Sequence, residues 1–200
     1  MQTGRLEAFS DGVIAVIITI MVLDLKVPHG SDLRALGADV PTFVTYVLSF
    51  VNTGIYWNNH HHMLHATKRV NGRIMWANLH LLFWLSLIPF TTGWAGETRF
   101  APLPTAAYGS VLLLAAIAYT LLQTAIVAYN GQDSELAQAV GSDWKGKVSL
   151  GSYALSIPFA FIAPLFSAAI FVAVAALWFV PDRRIERMTE ARASREAAEP

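Results

Sequence analysis

A run of 33 residues from Val148 to Val180 contains no charged side chain, and it constrains the fold more than any other segment. As one α-helix it would extend about 50 Å, well beyond the hydrocarbon core of a bilayer at about 30 Å. Pro158 and Pro164 lie inside it, and proline breaks or kinks a helix. We therefore expect two short helices, near 148–162 and 165–180, that turn close to Pro164. One long kinked helix is the main alternative.

Four further apolar segments are long enough to cross a membrane, because a spanning helix needs about 20 mostly apolar residues. They lie near residues 7–25, 40–57, 74–95 and 106–129. Charged residues make up 14% of the chain, whereas an average soluble domain has roughly 25%. We therefore predict an all-α integral membrane protein of the lipid bilayer, with six transmembrane helices over residues 1–181 and a charged cytoplasmic tail over 182–200. Five helices is the competing count.

The distribution of Lys and Arg predicts the orientation, because both residues favour cytoplasmic segments. Six spans place both termini on one side, together with eleven of the 14 basic residues. These are Arg5, Lys68, Arg69, Arg73, Lys145, Lys147, Arg183, Arg184, Arg187, Arg192 and Arg195. Lys26, Arg34 and Arg99 would lie on the opposite side. The asymmetry favours six spans over five and predicts a multi-pass protein of the cell membrane with both termini cytoplasmic.

Several functional classes find no support in the sequence. The formal net charge is zero, so no global field attracts nucleic acid. The chain has no cysteine, which excludes disulfides and thiolate metal sites. Serine-hydrolase and metalloprotease motifs are absent from the sequence, so we do not expect an enzyme. The first apolar segment lacks the short apolar region and Ala-x-Ala site of a signal peptide, so we do not expect it to be cleaved.

The first apolar segment begins with an ionisable residue, Asp11. An ionisable group inside a membrane costs on the order of 2.5–3.5 kcal/mol even on lenient scales. Asp11 could lie at the cytoplasmic rim, near the positive end of the helix dipole, with Arg5 extended towards water. It could instead belong to a buried polar network. In that case we expect Arg5 or a histidine close by, because a buried carboxylate without a partner is unfavourable.

Four of the six histidines fall in the segment WNNHHHMLH, residues 57–65. His61 and His65 share a helix face, and that spacing could hold a metal. No carboxylate or cysteine lies nearby in the sequence, and a His-Glu-x-x-His motif is absent. We therefore expect histidines that hydrogen-bond in a buried network rather than a dedicated metal site. Asn78, further along the chain, is a polar residue of the kind that bonds across membrane helices.

Three motifs follow one another along the first half of the chain. They are Arg5-x-x-x-Phe9-Ser10-Asp11, Trp57-Asn58-Asn59-His60-His61, and Asn78 followed by Ser86-Leu87-Ile88-Pro89-Phe90-Thr91-Thr92. In this order they resemble the transmembrane protein 175 family of potassium channels, and the likeness covers nearly the whole chain. The chain has one six-helix unit, so it resembles the prokaryotic form, which assembles as a homotetramer. The resemblance implies that the first helix lines the pore.

The resemblance also implies the roles of individual residues. A constriction on the first helix would be formed by Val16, Thr19, Ile20 and Leu23. A structural network behind the pore would contain Arg5, Phe9, Ser10, Asp11, His60, His61 and Asn78. Helical spacing from Asp11 places the constriction residues on one stripe, although by spacing alone the aliphatic members could equally pack against neighbours or lipid.

We therefore expect a leak-like cation channel that prefers potassium modestly, with potassium as the permeant ion, no cofactor and no catalytic residue. The sequence lacks the Thr-Val-Gly-Tyr-Gly segment that forms carbonyl rings in other potassium channels. A narrow apolar neck would replace that filter. The alternative is a secondary transporter or metal exporter that uses the histidines as its binding site.

Overall fold

The computed structural model describes residues 3–28, 30, 32, 33, 37, 39–140 and 143–179. Arg34 and the tail predicted over 182–200 lie outside these residues. Within the described ranges the regular structure is helical and contains no strand. The helices are α1 (Thr3–Ile20), α2 (Val40–His65), α3 (Gly72–Ser86), α4 (Ile88–Glu97), α5 (Pro102–Asn130), α6 (Glu135–Val140), α7 (Trp144–Ile162) and α8 (Pro164–Phe179), with a 3₁₀ helix at Met21–Asp24.

The helix ends follow from local sequence signals. Asn71 caps α3 by accepting a hydrogen bond from the Ile74 amide, and prolines open α2, α4, α5 and α8, where the missing amide proton costs nothing. The turn predicted at Pro164 is confirmed, since α7 ends at Ile162 and α8 begins two residues later. The third apolar segment is interrupted at Leu87, two residues before Pro89, and the interruption separates α3 from α4.

The long helices alternate in direction. Thr3 at the start of α1 donates to the carbonyl of Thr67 just after α2, at 3.1 Å. Asn130 at the end of α5 bonds the backbone of Arg69. At the opposite end, Lys26 and Glu97 form an ion pair at 2.6 Å. We call these the Thr3 end and the Lys26 end of the bundle.

Helices α7 and α8 continue the alternation. Trp178, near the end of α8, donates to the Ser149 hydroxyl near the start of α7 at 2.8 Å. Ser167, early in α8, donates to the Ser156 carbonyl further along α7. The two helices are therefore an antiparallel pair.

Helix α5 lies at the centre of the bundle and packs against α3, α4, α7 and α8. Fully buried residues recur along it at helical spacing: Leu112, Ala115, Ala118, Leu122 and Ile126. Gly109 allows a close approach, because a Cβ at this position would lie 3.0 Å from the Ser156 hydroxyl on α7 and 3.1 Å from the ring of Phe171 on α8. Small residues of this kind let membrane helices approach closely.

Among the described residues, three helical segments are long and apolar enough to cross a membrane: Thr3–Asp24, Gly72–Glu97 and Pro102–Asn130. The apolar helix Pro164–Phe179 is shorter. Large apolar side chains also cover the outside of the bundle, with Trp76, Leu165 and Ile162 all largely exposed. An apolar surface of this extent is typical of contact with lipid or with other subunits.

Candidate functional site

Helix α1 has two different faces. Ser10, Ile14, Ile17 and Met21 are buried against the rest of the chain. The opposite face is open, with Val16 54%, Ile20 46% and Leu23 77% exposed, and Gly12 and Thr19 are exposed as well. The predicted constriction residues therefore share an uncovered stripe.

A hydrogen-bonded triad holds the buried face of α1. The Asn78 side-chain amide on α3 donates to the Ser10 hydroxyl at 2.9 Å. The carbonyl oxygen of Asn78 lies 2.7 Å from Nε2 of His60 on α2. All three side chains are fully buried, so the triad ties three helices together in the interior.

The directions of these bonds follow from the donors available. The Ser10 hydroxyl donates to the Leu6 carbonyl at 2.8 Å, so it accepts from Asn78. The Asn78 oxygen must then accept from His60, which places the imidazole proton on Nε2. Nδ1 of His60 is buried and has no hydrogen-bond partner among the described residues.

Asp11 has a partner that the sequence did not suggest. Its Oδ1 accepts a hydrogen bond from Nε1 of Trp57 on α2 at 3.0 Å. His61 is also close, as expected, but its Nδ1 lies nearest to Glu7, 3.0 Å from Oε1. Arg5 is exposed, so of the two neighbours expected for Asp11, Arg5 or a histidine, the structure supplies the histidine. Phe9 is 51% exposed and lies on the open side of α1.

The exposed stripe ends in a change of helix type. The α-helix stops at Ile20, and Met21–Asp24 form a 3₁₀ turn. Leu23 therefore departs from the ideal α-helical position expected from the spacing, although it stays exposed. Thr19 donates its hydroxyl proton to the carbonyls of Ala15 and Val16, both at 3.0 Å. Its oxygen keeps two lone pairs as an acceptor.

A groove runs along this face between α1 and the interruption of the third apolar segment. Phe9, Gly12, Val16 and Ile20 line one wall, and Pro89 and Phe90 lie opposite.

Near the Lys26 end, Glu97 stabilises the charged ammonium of Lys26 by a hydrogen bond and by its charge, which raises the Lys26 pKa. That ion pair is exposed to solvent.

A second buried polar cluster joins α2, α4 and α5. Thr92 donates to the Ser49 hydroxyl at 2.6 Å, and Ser49 lies 2.9 Å from the Tyr108 hydroxyl. All three residues are buried. Ser49 and Tyr108 are 59 positions apart in the sequence, and neither belongs to a short motif, so sequence reasoning did not include them.

Together these features define an all-helical membrane protein whose first helix is fixed on one side and uncovered on the other. The comparisons with known proteins identify the class. The family model described as "Endosomal/lysosomal potassium channel TMEM175" matches residues 5–89, and the chain belongs to the TMEM175 family of ion channels. The family predicted from the three motifs is therefore confirmed.

The relatives cover nearly the whole chain. A potassium channel of Chryseobacterium sp. (strain P1-3) is 51% identical over 187 residues, 94% of this chain and 97% of the relative. A potassium channel of Streptomyces collinus is 35% identical over 184 residues, 84% of this chain and 87% of the relative. The crystal structure of a lysosomal potassium-selective channel TMEM175 homolog from Chamaesiphon minutus superposes with a TM-score of 0.79. That match has 26% identity and covers 89% of this chain and 96% of the other.

Proposed function

We propose that the chain is one subunit of a homotetrameric cation channel that prefers potassium, with α1 lining a central pore. The observation that carries this proposal is the uncovered stripe of Val16, Thr19, Ile20 and Leu23, opposite a face that is locked by the Ser10–Asn78–His60 triad. A helix fixed on one side can present a defined surface on the other. The names of the bacterial relatives support potassium as the permeant ion.

A symmetric ring of subunits explains why the stripe is open in a single chain. Most homo-oligomers have closed symmetry, and four copies of α1 around an axis would surround a narrow channel. The bulky aliphatic side chains would meet at the axis and form a hydrophobic constriction. An apolar neck of this kind gates by dewetting, because water leaves a pore that is too narrow and too apolar.

Thr19 would supply the ion preference. Its proton is already donated to its own helix, so four Thr19 oxygens would present lone pairs to a cation. Potassium gives up hydration water at a lower cost than sodium. Hydroxyl oxygens can replace part of that water without binding the ion tightly, so modest selectivity follows.

The bundle would cross the cell membrane six times, with both termini in the cytoplasm and residues 1–181 as the channel domain. The Thr3 end carries Arg5, Lys68, Arg69 and Arg73, whereas the Lys26 end carries Lys26 and Arg99. Basic residues favour the cytoplasmic side, which makes the Thr3 end cytoplasmic. The charged segment 182–200 would follow α8 on that same side.

Flux through liposomes tests the proposal against the transporter alternative. The purified protein is reconstituted in potassium-loaded vesicles, and ion efflux is followed with a flux dye, with sodium-loaded vesicles as control. A channel gives efflux that rises with the gradient without saturation and is faster for potassium. Saturable transport, or flux that requires the histidine side chains but not the α1 stripe, would favour a histidine-using transporter or metal exporter.

A further inference from the structure

Three metal-ligating side chains meet between α1 and α2. Glu7 and Asp11 are four residues apart and so share a face of α1, and His61 reaches them from α2. One ligand atom of each lies within 4.8 Å of the other two. All three residues are partly buried.

The sequence could not show this cluster. No carboxylate lies near the histidines in the chain, which is why no dedicated metal site is expected from sequence. The fold supplies two carboxylates from α1, 50 or more positions away from His61. Helical spacing in the sequence pairs His61 with His65, whereas the structure places His61 beside Glu7 and Asp11.

The polar atoms of the cluster are incompletely satisfied. Nδ1 of His61 is buried and has no hydrogen-bond partner among the described residues, although Oε1 of Glu7 lies only 3.0 Å away. When the ring proton is on Nε2, the Nδ1 lone pair and the carboxylate oxygen are both available as ligand atoms. A cation between His61, Glu7 and Asp11 would then be coordinated by all three side chains.

The surroundings also orient the ligands. Trp57 donates to Oδ1 of Asp11, and outer hydrogen bonds of this kind fix ligating carboxylates at metal sites. The His61 ring is stacked between Trp57, at 6.0 Å between centroids, and His65, at 6.1 Å. Trp57 thus contacts both Asp11 and His61, and it places the imidazole beside the carboxylates.

We propose that Glu7, Asp11 and His61 form a site for a divalent transition metal, with zinc as the fitting example, that links α1 to α2. One imidazole with two carboxylates suits zinc rather than magnesium or calcium, which prefer ligand sets made of oxygen alone. Around a tetrahedral zinc with bonds of about 2.1 Å, ligand atoms lie about 3.4 Å apart. Small side-chain movements therefore close the cluster, and a water molecule would complete the coordination.

Titration of the metal-free protein with zinc chloride tests the site. The whole protein in detergent, treated with a chelator and then exchanged into buffer, should bind one zinc per chain in the calorimeter. His61→Gln and Glu7→Gln should each weaken binding by at least about tenfold, since loss of even an outer partner costs about 10- to 100-fold at metal sites. Magnesium chloride at the same concentrations should give no binding heat.

His65→Gln is the matched control, because this histidine lies one turn further along α2 and stacks on His61 without belonging to the cluster. It should leave the zinc affinity unchanged. Gel filtration of each zinc-free variant identifies any that fails to fold. If one of Glu7→Gln and His61→Gln fails to fold, the other is sufficient for the test. An anomalous diffraction peak at the zinc edge should lie within about 2.2 Å of the ligand atoms.

Zinc binding that is unchanged in both ligand variants, or absent from the wild-type protein, would overturn the site. A loss in His65→Gln equal to that in His61→Gln would overturn it as well and assign zinc to the histidine run. The binding measurement needs no ion flux. Its failure therefore leaves the channel proposal intact, and a failure of the flux experiment leaves the metal site intact.

Discussion

Asn78 and Ser10 are 68 positions apart in the sequence, and their side chains meet in the interior at 2.9 Å. Asn78 uses its other side-chain atom to accept from His60. The Asn78 side chain thus supplies a hydrogen-bond partner to Ser10 on α1 and to His60 on α2. Buried polar groups without partners are costly, so this side chain contributes to the packing of α1 on α2 and α3.

Replacing Asn78 should destabilise the bundle. Asn78→Leu keeps the approximate volume but leaves the Nε2 proton of His60 unpaired in a buried position, which costs about 1–3 kcal/mol. Thermal or denaturant unfolding in detergent measures the loss. Ser86→Ala on the same apolar segment is the control, because the Ser86 hydroxyl is exposed and bonds only its own helix. Equal stability of both variants would contradict the structural role of the triad.

Asp11 should matter for assembly more than for ion preference. It is held by Trp57 on α2, away from the open stripe, so Asp11→Ala removes a tie between helices. We expect less tetramer by gel filtration and a lower melting temperature, with the potassium-to-sodium flux ratio of the surviving tetramer unchanged. Trp57→Phe removes only the donor and should reproduce part of the effect. Normal assembly with sharply altered selectivity would instead mean that Asp11 faces the ions.

Reporter fusions test the proposed transmembrane topology. A reporter that is active only in the cytoplasm should be active when it is fused after Pro200, because the six spans proposed above would return the C-terminus to the side of Arg5 and the other basic residues. A reporter inserted between Lys26 and Asp39 should show the opposite location. If a reporter that is active only in the periplasm were active at the same position, the number of spans would be odd and the six-span arrangement would be excluded.

The sequence predicts the helices well because apolar run length and proline are local signals. The turn at Pro164 needed no long-range information. The partner of Asp11 was missed because Trp57 lies 46 positions away, and no periodicity links an indole proton to one particular carboxylate. The 3₁₀ turn at Met21–Asp24 was missed for another reason, since its residues continue the apolar pattern of α1 without a helix-breaking signal.

The pore prediction rests on the exposed stripe of α1. Leu23→Ala and Ile20→Ala should widen the proposed neck, raise ion leak and weaken the preference for potassium, because dewetting depends on an apolar and narrow pore. Val16→Ala should act in the same direction with a smaller effect, since less volume is removed. Flux from liposomes measures each variant. Leu165→Ala is the control, because Leu165 is a comparably exposed leucine on α8 and should leave flux unchanged.

Variants of Thr19 test the ion preference independently of the pore width. Thr19→Val removes the hydroxyl at nearly constant volume, so the potassium-to-sodium flux ratio should fall while the tetramer still assembles. Thr19→Ser retains a hydroxyl and should preserve more of the preference. A flux ratio that is equal in wild type and Thr19→Val would show that the preference arises elsewhere.

Single cysteines test the whole stripe in one series, and the absence of native cysteine gives a clean background. Each residue from Gly12 to Leu23 is replaced in turn and exposed to a water-soluble thiol reagent during flux. A reagent in the pore reaches only side chains that face the water column. Block should therefore recur at 16, 19, 20 and 23 and be absent at Ile14, Ile17 and Met21, which face the interior of the bundle. Uniform inertness along α1, with block instead on α5 or α8, would place the pore on another helix, because the side chains that line a conduction path must meet the reagent.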